Sequence, residues 1–114
     1  MTQGLSVGAL RPLVKHPGES LLLGVHFGPL LGTGERLQTP LPVEVSPEGL
    51  LLGPVLVNAS PFPDGMGGIV AAGQGLQVRV SGGTNGTDFT LTLGAATTQG
   101  NTRIAVCRLL IRSE

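Results

Sequence analysis

The stretch that decides the fold is residues 76–111, LQVRVSGGTNGTDFTLTLGAATTQGNTRIAVCRLLI. Apolar and polar residues alternate strictly within it, over residues 76–81 and again over residues 88–93. A period of two over such lengths is typical of half-buried β-strands, with one face on a core and the other in water. Glycine-bearing turns at residues 82–87 and 98–101 separate the apolar runs. We therefore predict three consecutive strands that form an antiparallel meander and close the domain.

Four glycines in these two turns are candidates for a structural role: Gly82, Gly83, Gly86 and Gly100. Glycine adopts a positive φ without steric cost, which tight turns between strands require. We expect at least one of the first three to have a positive φ. Its replacement by a β-branched residue should then cost about 1 kcal/mol or more.

Proline and glycine punctuate the rest of the chain, with 9 prolines and 19 glycines among 114 residues. Hardly any window between them could hold a helix of three turns. Short apolar runs remain between the breakers, at residues 5–10, 20–27, 42–45, 49–52, 54–59 and 69–72. Regularly spaced short strands with turn signals predict an all-β domain, either a β-sandwich or a small barrel. The length suits a single domain with one hydrophobic core.

The N-terminal segment, residues 1–16, allows two interpretations. Leu5, Val7 and Ala9 alternate with Ser6, Gly8 and Leu10, which is consistent with a first strand. The alternative is an extended arm that reaches onto another subunit, because short termini without contacts at home are usually disordered alone. Residues 17–114 are assigned to the sandwich in either case.

The loop at residues 60–68 is dense in proline and glycine and carries two large apolar side chains, Phe62 and Met66. Exposed at a loop tip, these two side chains would form a contact with a neighbouring subunit. The alternative is that Phe62 folds back over one end of the sandwich.

The charge composition limits the classes of partner. Seven basic and seven acidic residues give a net charge of zero, and charged residues make up only 12% of the chain. There is no basic stripe for nucleic acid and no apolar segment of the roughly 18 residues that a membrane span needs. We expect neither a secreted nor a membrane-bound protein. So few charges leave little to oppose association, which favours a surface partly covered by other subunits. The alternative is a surface covered simply by small residues.

No pattern of reactive residues points to catalysis. His16 and His26 have no carboxylate or cysteine at ligand spacing, so neither a metal nor a cofactor is expected. Cys107 lies between Ala105 and Leu109 in the strand register, which indicates a buried core thiol rather than a nucleophile. Without tyrosine or tryptophan, the chain also lacks the stacking platforms used for sugars and single-stranded nucleic acids. We expect a protein that is not an enzyme.

A family resemblance rests on the run VSGGTNGTDFTL at residues 80–91, followed by TTQGNT at residues 97–102 and a final apolar strand. This order resembles small immunoglobulin-like virion proteins of tailed bacteriophages. Residues 17–27, 32–35 and 43–47 are similar in order and spacing, although only the C-terminal motif is specific. The chain departs from such proteins in having no tryptophan near Phe27 and a longer loop at residues 60–68.

The resemblance implies an immunoglobulin-like antiparallel β-sandwich that is part of the virion and is assembled in the host cytoplasm. The leading interpretation is a capsid decoration or cement protein, which stabilises the assembled shell by binding it. One alternative is a tail or tail-fibre adaptor, and another is a host- or carbohydrate-binding module. The implied partners are the major capsid protein or tail components. The chain would act in several copies or as a homo-oligomer, without nucleic acid or membrane.

Overall fold

A computed structural model describes the backbone of residues 5–6 and all of residues 13–63 and 67–113. Within these ranges the chain is built of strands, and its only helical element is a single 3-10 turn, Gly28–Leu30. The prediction of an all-β protein is confirmed. The strands are β1 (Leu5–Ser6), β2 (Leu13–Lys15), β3 (Leu21–His26), β4 (Leu37–Pro40), β5 (Glu44–Ser46), β6 (Leu50–Leu52), β7 (Leu56–Val57), β8 (Phe62–Pro63), β9 (Ile69–Val70), β10 (Gly75–Gly82), β11 (Asp88–Thr97) and β12 (Thr102–Ile111).

Two five-stranded sheets make up the body of the domain. Sheet A has the order β1-β3-β10-β6, with β7 also paired to β10. Sheet B has the order β2-β12-β11-β4, with β5 also paired to β11. The pairs β1–β3 and β2–β12 are parallel, so both sheets are mixed. The expectation of a purely antiparallel sandwich is corrected in this respect. Strands β8 and β9 form a separate two-stranded hairpin.

The predicted three-strand meander is wrong, because β10 belongs to sheet A whereas β11 and β12 pair with each other in sheet B. The turn at residues 82–87 crosses from one sheet to the other instead of reversing the chain within one sheet. The alternation of apolar and polar residues shows which face of a strand is buried. It does not determine which other strand pairs with it.

One hydrophobic core lies between the two sheets, as in a β-sandwich. Every second residue of β10 and of β11 points into it, as the alternation predicted. Each fully buried aliphatic or aromatic side chain contributes roughly 1.5–3 kcal/mol. The buried cluster consists of Leu23, Val25, Phe27, Leu37, Leu76, Val78, Val80, Phe89, Leu91, Leu93, Ala95, Ala105, Cys107, Leu109 and Ile111.

Three elements went unpredicted, β2, β4 and β8. Strand β2 has only three residues at the edge of sheet B, and it lies in a stretch with two prolines where no apolar run was predicted. Strand β4 pairs with β11 across a register shift between Ala96 and Thr97, and it ends at a proline. Strand β8 lies inside the segment predicted as a loop, and one of its two residues is a proline. Strands that contain proline are confined to sheet edges. Strands this short also show too few residues for an alternating pattern to be recognised.

The described parts of residues 1–16 contribute to both sheets. Leu5–Ser6 pairs with β3 in sheet A, and Leu13–Lys15 pairs with β12 in sheet B. The rest of the predicted run at residues 5–10 lies outside the described residues. Whether this segment acts as a strand or as an arm remains a prediction.

Candidate functional site

The turn between the sheets depends on glycine. Gly82, Gly83 and Gly86 have φ of +79°, +98° and +89°, and Gly100 in the β11–β12 turn has +82°. A Cβ on Gly83 would also lie 2.9 Å from the Ile111 side chain, whereas a Cβ on Gly86 would meet open space. These turns therefore need glycine for its backbone conformation, and Gly83 needs it for space as well.

A buried carboxylate, Glu35, joins the loop before β4 to the β11–β12 turn. Its Oε2 accepts hydrogen bonds from Thr97 Oγ1 at 2.5 Å and from Asn101 Nδ2 at 2.7 Å. Its Oε1 accepts the Gly32 N–H at 2.8 Å and lies 3.5 Å from Arg103 Nη2. The Thr97 hydroxyl, followed by the other donors, lowers the pKa of Glu35 from 4.5 to about 2, against the opposing effect of burial. The carboxylate is therefore ionised and serves as a structural tie.

The TTQGNT motif has a physical role around this carboxylate. Thr97 Oγ1 also accepts the Gln99 N–H at 3.3 Å and the Asn101 N–H at 3.2 Å. Thr98 Oγ1 accepts the Arg36 N–H at 3.1 Å. The motif thus shapes its own turn and holds the facing loop. Sequence reasoning missed Glu35, because 62 residues separate it from Thr97 and no local pattern connects the two.

A second polar tie is Lys15, which is fully buried at the end of β2. Its Nζ donates hydrogen bonds to the carbonyl oxygens of Gly82 at 2.6 Å and His16 at 2.9 Å, with that of Pro17 at 3.5 Å. No carboxylate in the described part of the chain forms an ion pair with it. Backbone dipoles therefore compensate a buried ammonium group, which would be costly to leave without partners. The contact with Gly82 links sheet B to the end of β10 in sheet A.

Asn58 fixes the segment that leads to β10. Its Oδ1 accepts the N–H groups of Gly73 at 3.1 Å and Gly75 at 2.9 Å. Its Nδ2 donates to the carbonyl oxygens of Ser60 at 3.0 Å and Ala71 at 2.9 Å. Residues 58–60, Asn-Ala-Ser, match the N-glycosylation sequon, but Asn58 is buried and its amide is fully engaged, which closes it to glycosylation in the folded chain.

The Phe62 ring lies on the outer face of sheet A. A Cβ on Gly24 would come within 2.6 Å of the ring, and one on Gly75 within 2.9 Å. The half-buried ring therefore occupies the space above two glycines, which agrees better with a folded-back side chain than with a loop tip. The other predicted contact residue, Met66, lies outside the described residues. A subunit contact through this pair remains a prediction.

The part of the chain that the structure describes contains no cluster of nucleophilic or metal-binding side chains. Cys107 is buried, in agreement with the sequence prediction, and burial raises the pKa of its thiol to about 12. Residues 13–63 and 67–113 contain no group of three or more His, Cys, Asp or Glu side chains that could hold a metal ion. Over the same ranges, no helix is long and apolar enough to cross a membrane.

The outer face of sheet A is apolar at its margins. Leu22, Leu51 and Leu56 are 54%, 70% and 58% exposed. They lie directly opposite Arg79, Ser81 and Gln77 of β10, respectively, so all six side chains share one face. Arg79 lies in the middle of this surface, which we call the A face.

The outer face of sheet B, the B face, is also apolar in part. Ile104 and Val106 of β12 are 47% and 49% exposed. A shallow hollow of about 310 Å³ adjoins them, lined by Leu41, Pro42, Glu44, Thr92, Gly94 and Ile104. Gly94 leaves this hollow open, since a Cβ there would lie 2.6 Å from Ile104 and 3.2 Å from Leu41.

Apolar surface on two opposite faces is typical of a protein that works through contact with other proteins. The family model described as Podophage GP4 fiber-tail adaptor protein gp77 matches residues 15–110, and the chain belongs to this family. It is therefore a structural protein of a phage virion. No curated protein and no solved structure matches the chain.

The family membership bears on the predictions made from the sequence. The resemblance to small structural proteins of the phage virion is confirmed, and so is the virion location. The family is a structural adaptor family rather than an enzyme family. It gives no support to the leading interpretation, a capsid decoration protein, and it favours the alternative, a tail adaptor.

Proposed function

We propose that this protein is a fibre-tail adaptor, which binds both tail components and fibre components. The observation that carries the proposal is the family match over residues 15–110, which includes nearly all of both sheets. The capsid decoration interpretation is set aside in its favour.

The architecture supports this proposal, because an adaptor needs a rigid body that works through contacts with other chains. The A face and the B face lie on opposite sides of the sandwich, and each exposes aliphatic side chains. The hydrogen bond from Lys15 to the Gly82 carbonyl joins sheet B to sheet A, which limits movement between the two faces. A rigid connector transmits position from one partner to the other without an ordering cost on binding.

The copy number in purified particles tests the proposal. An adaptor that closes into a ring needs only the copies that the ring holds, whereas a decoration protein covers a shell of many capsid subunits. Quantitative mass spectrometry of particles should therefore give a ratio to the major capsid protein of roughly a few per cent or less. Parity with the capsid protein, or a simple fraction of it, would reject the adaptor role and restore decoration.

Particles made without the chain provide a second test. They should contain filled capsids and tails but lose their fibres, and expression of the chain from a plasmid should restore the fibres. Electron micrographs count fibres per particle. Fibres at normal number on particles whose capsids break open on heating would contradict the adaptor role.

A further inference from the structure

The A face carries one charge at its centre. Arg79 is exposed among Leu22, Leu51 and Leu56, and the only described hydrogen bond of its guanidinium is a long one of 3.4 Å from Nη1 to the Ser20 carbonyl. No carboxylate in the described residues forms an ion pair with it. An unpaired arginine beside exposed aliphatic side chains fits a protein interface, because arginine is enriched at interface centres where most other charged residues are depleted.

The B face carries the opposite charge in a matching setting. Glu44 is exposed directly opposite Thr92, and Val106 lies on the other side of Thr92. Over residues 13–63 and 67–113, no cation forms an ion pair with Glu44. The arginines at the other end of this face, Arg108 and Arg112, are both engaged with Asp88 at 3.4 Å and 2.9 Å.

We propose that copies of this chain associate head to tail, the A face of one copy on the B face of the next, with Arg79 close to Glu44 of the partner subunit. The two faces point in opposite directions, so the contact is heterologous and generates either a ring or an open chain of copies. The inference adds a partner to the proposed function without depending on it, because it concerns only copies of this chain.

Charge complementarity favours a second copy in this register over the two symmetric alternatives. An A face on an A face would bring two Arg79 side chains together, and a B face on a B face would do the same with Glu44. Like charges placed opposite each other in an interface disfavour that arrangement. The head-to-tail contact instead pairs each charge and covers the exposed leucines with Ile104 and Val106.

Two charge-reversal variants test the contact, Arg79→Glu and Glu44→Arg. Sedimentation velocity of the wild-type chain at about 1 mM should show a species of at least twice the monomer mass. Each variant alone should sediment as a monomer. An equimolar mixture of the two should regain the larger species, because its contacts are either wild-type or charge-swapped. The double variant Arg79→Glu/Glu44→Arg should also regain it.

Matched controls reverse exposed charges that lie on loops outside both faces, as Arg36→Glu and Glu48→Arg. They should keep the wild-type mass, and thermal unfolding should show all variants folded. A monomeric wild-type chain, a single variant that still associates, or a mixture that stays monomeric would overturn the proposal. None of these results changes the copy number in particles, which tests the adaptor role separately.

Discussion

At the scale of single residues, the structure depends on a few polar groups that no local pattern identifies. Glu35 and Lys15 are buried, and each joins segments that are distant in sequence. Their partners are hydroxyl, amide and carbonyl groups rather than a close ion pair. Such groups contribute mainly by leaving no buried donor or acceptor unmatched.

The ionisation of Glu35 should make the free energy of unfolding depend on pH in the acid range. Its pKa is about 2 in the folded chain, below its ordinary 4.5, so the folded state favours the ionised form. The resulting stabilisation is complete above pH 4.5 and is lost as the pH falls to about 2. Denaturant unfolding of the wild type and of Glu35→Gln should therefore differ most at neutral pH and converge over this window. A difference that stays constant from pH 7 to the acid limit of the window would contradict the assignment.

The turn glycines give a residue-scale prediction with an internal comparison. Gly86→Val introduces only the strain of a positive φ and should cost about 1 kcal/mol or more. Gly83→Val adds a clash with Ile111, whose side chain would lie 2.9 Å from the new Cβ, so it should cost more. Urea denaturation midpoints measure both costs. Equal losses of stability in the two variants would show that the clash between a side chain at position 83 and Ile111 makes no contribution.

At the scale of elements, β12 and the β8–β9 hairpin show how strands cover one another. Strand β12 alternates between buried Ala105, Cys107 and Leu109 and the exposed residues of the B face. The hairpin lies on sheet A through Phe62, whose ring fills the space above Gly24 and Gly75. Two-stranded hairpins are marginal alone, so packing on a sheet stabilises this one.

The burial of Cys107 should suppress its reactivity. The thiolate is the reactive form, and burial raises the thiol pKa to about 12. Ellman's reagent should modify the native protein far more slowly than the protein in denaturant. Equal rates in the two states would mean that strand β12 opens readily.

The Phe62 ring should stabilise the folded monomer. Phe62→Ala removes a half-buried ring from the two glycines and should cost about 1–3 kcal/mol, below the full cost of emptying a core site. Ile69→Ala is the matched control, because Ile69 is 69% exposed on the same hairpin and its loss should change stability little. Thermal unfolding compares the two. If Phe62→Ala unfolds like the wild type but weakens association, the ring is a subunit contact, and its packing on sheet A does not stabilise the monomer.

At the scale of the whole molecule, two apolar faces on opposite sides of one rigid sandwich suit a protein that assembles with other chains, copies of itself included. The low charge content, read from the sequence as a sign of a covered surface, agrees with exposed leucines on one face and with Ile104 and Val106 on the other. The head-to-tail contact between copies would cover both faces. The copy number in the particle and the mass of the chain in solution decide the adaptor role and this contact independently.

The sequence by itself determined the all-β class, the buried face of β10, β11 and β12, and the positions of the glycine turns, because these follow from local alternation and backbone freedom. Only the tertiary structure decided that β10 belongs to sheet A and β11 to sheet B, since alternation is the same whichever strand lies alongside. The same holds for the candidate surfaces. Arg79 and Glu44 are ordinary charges in the sequence, and only strand pairing places each on an apolar face. Local chemistry sets what a strand buries, while contacts between distant segments set what it is next to.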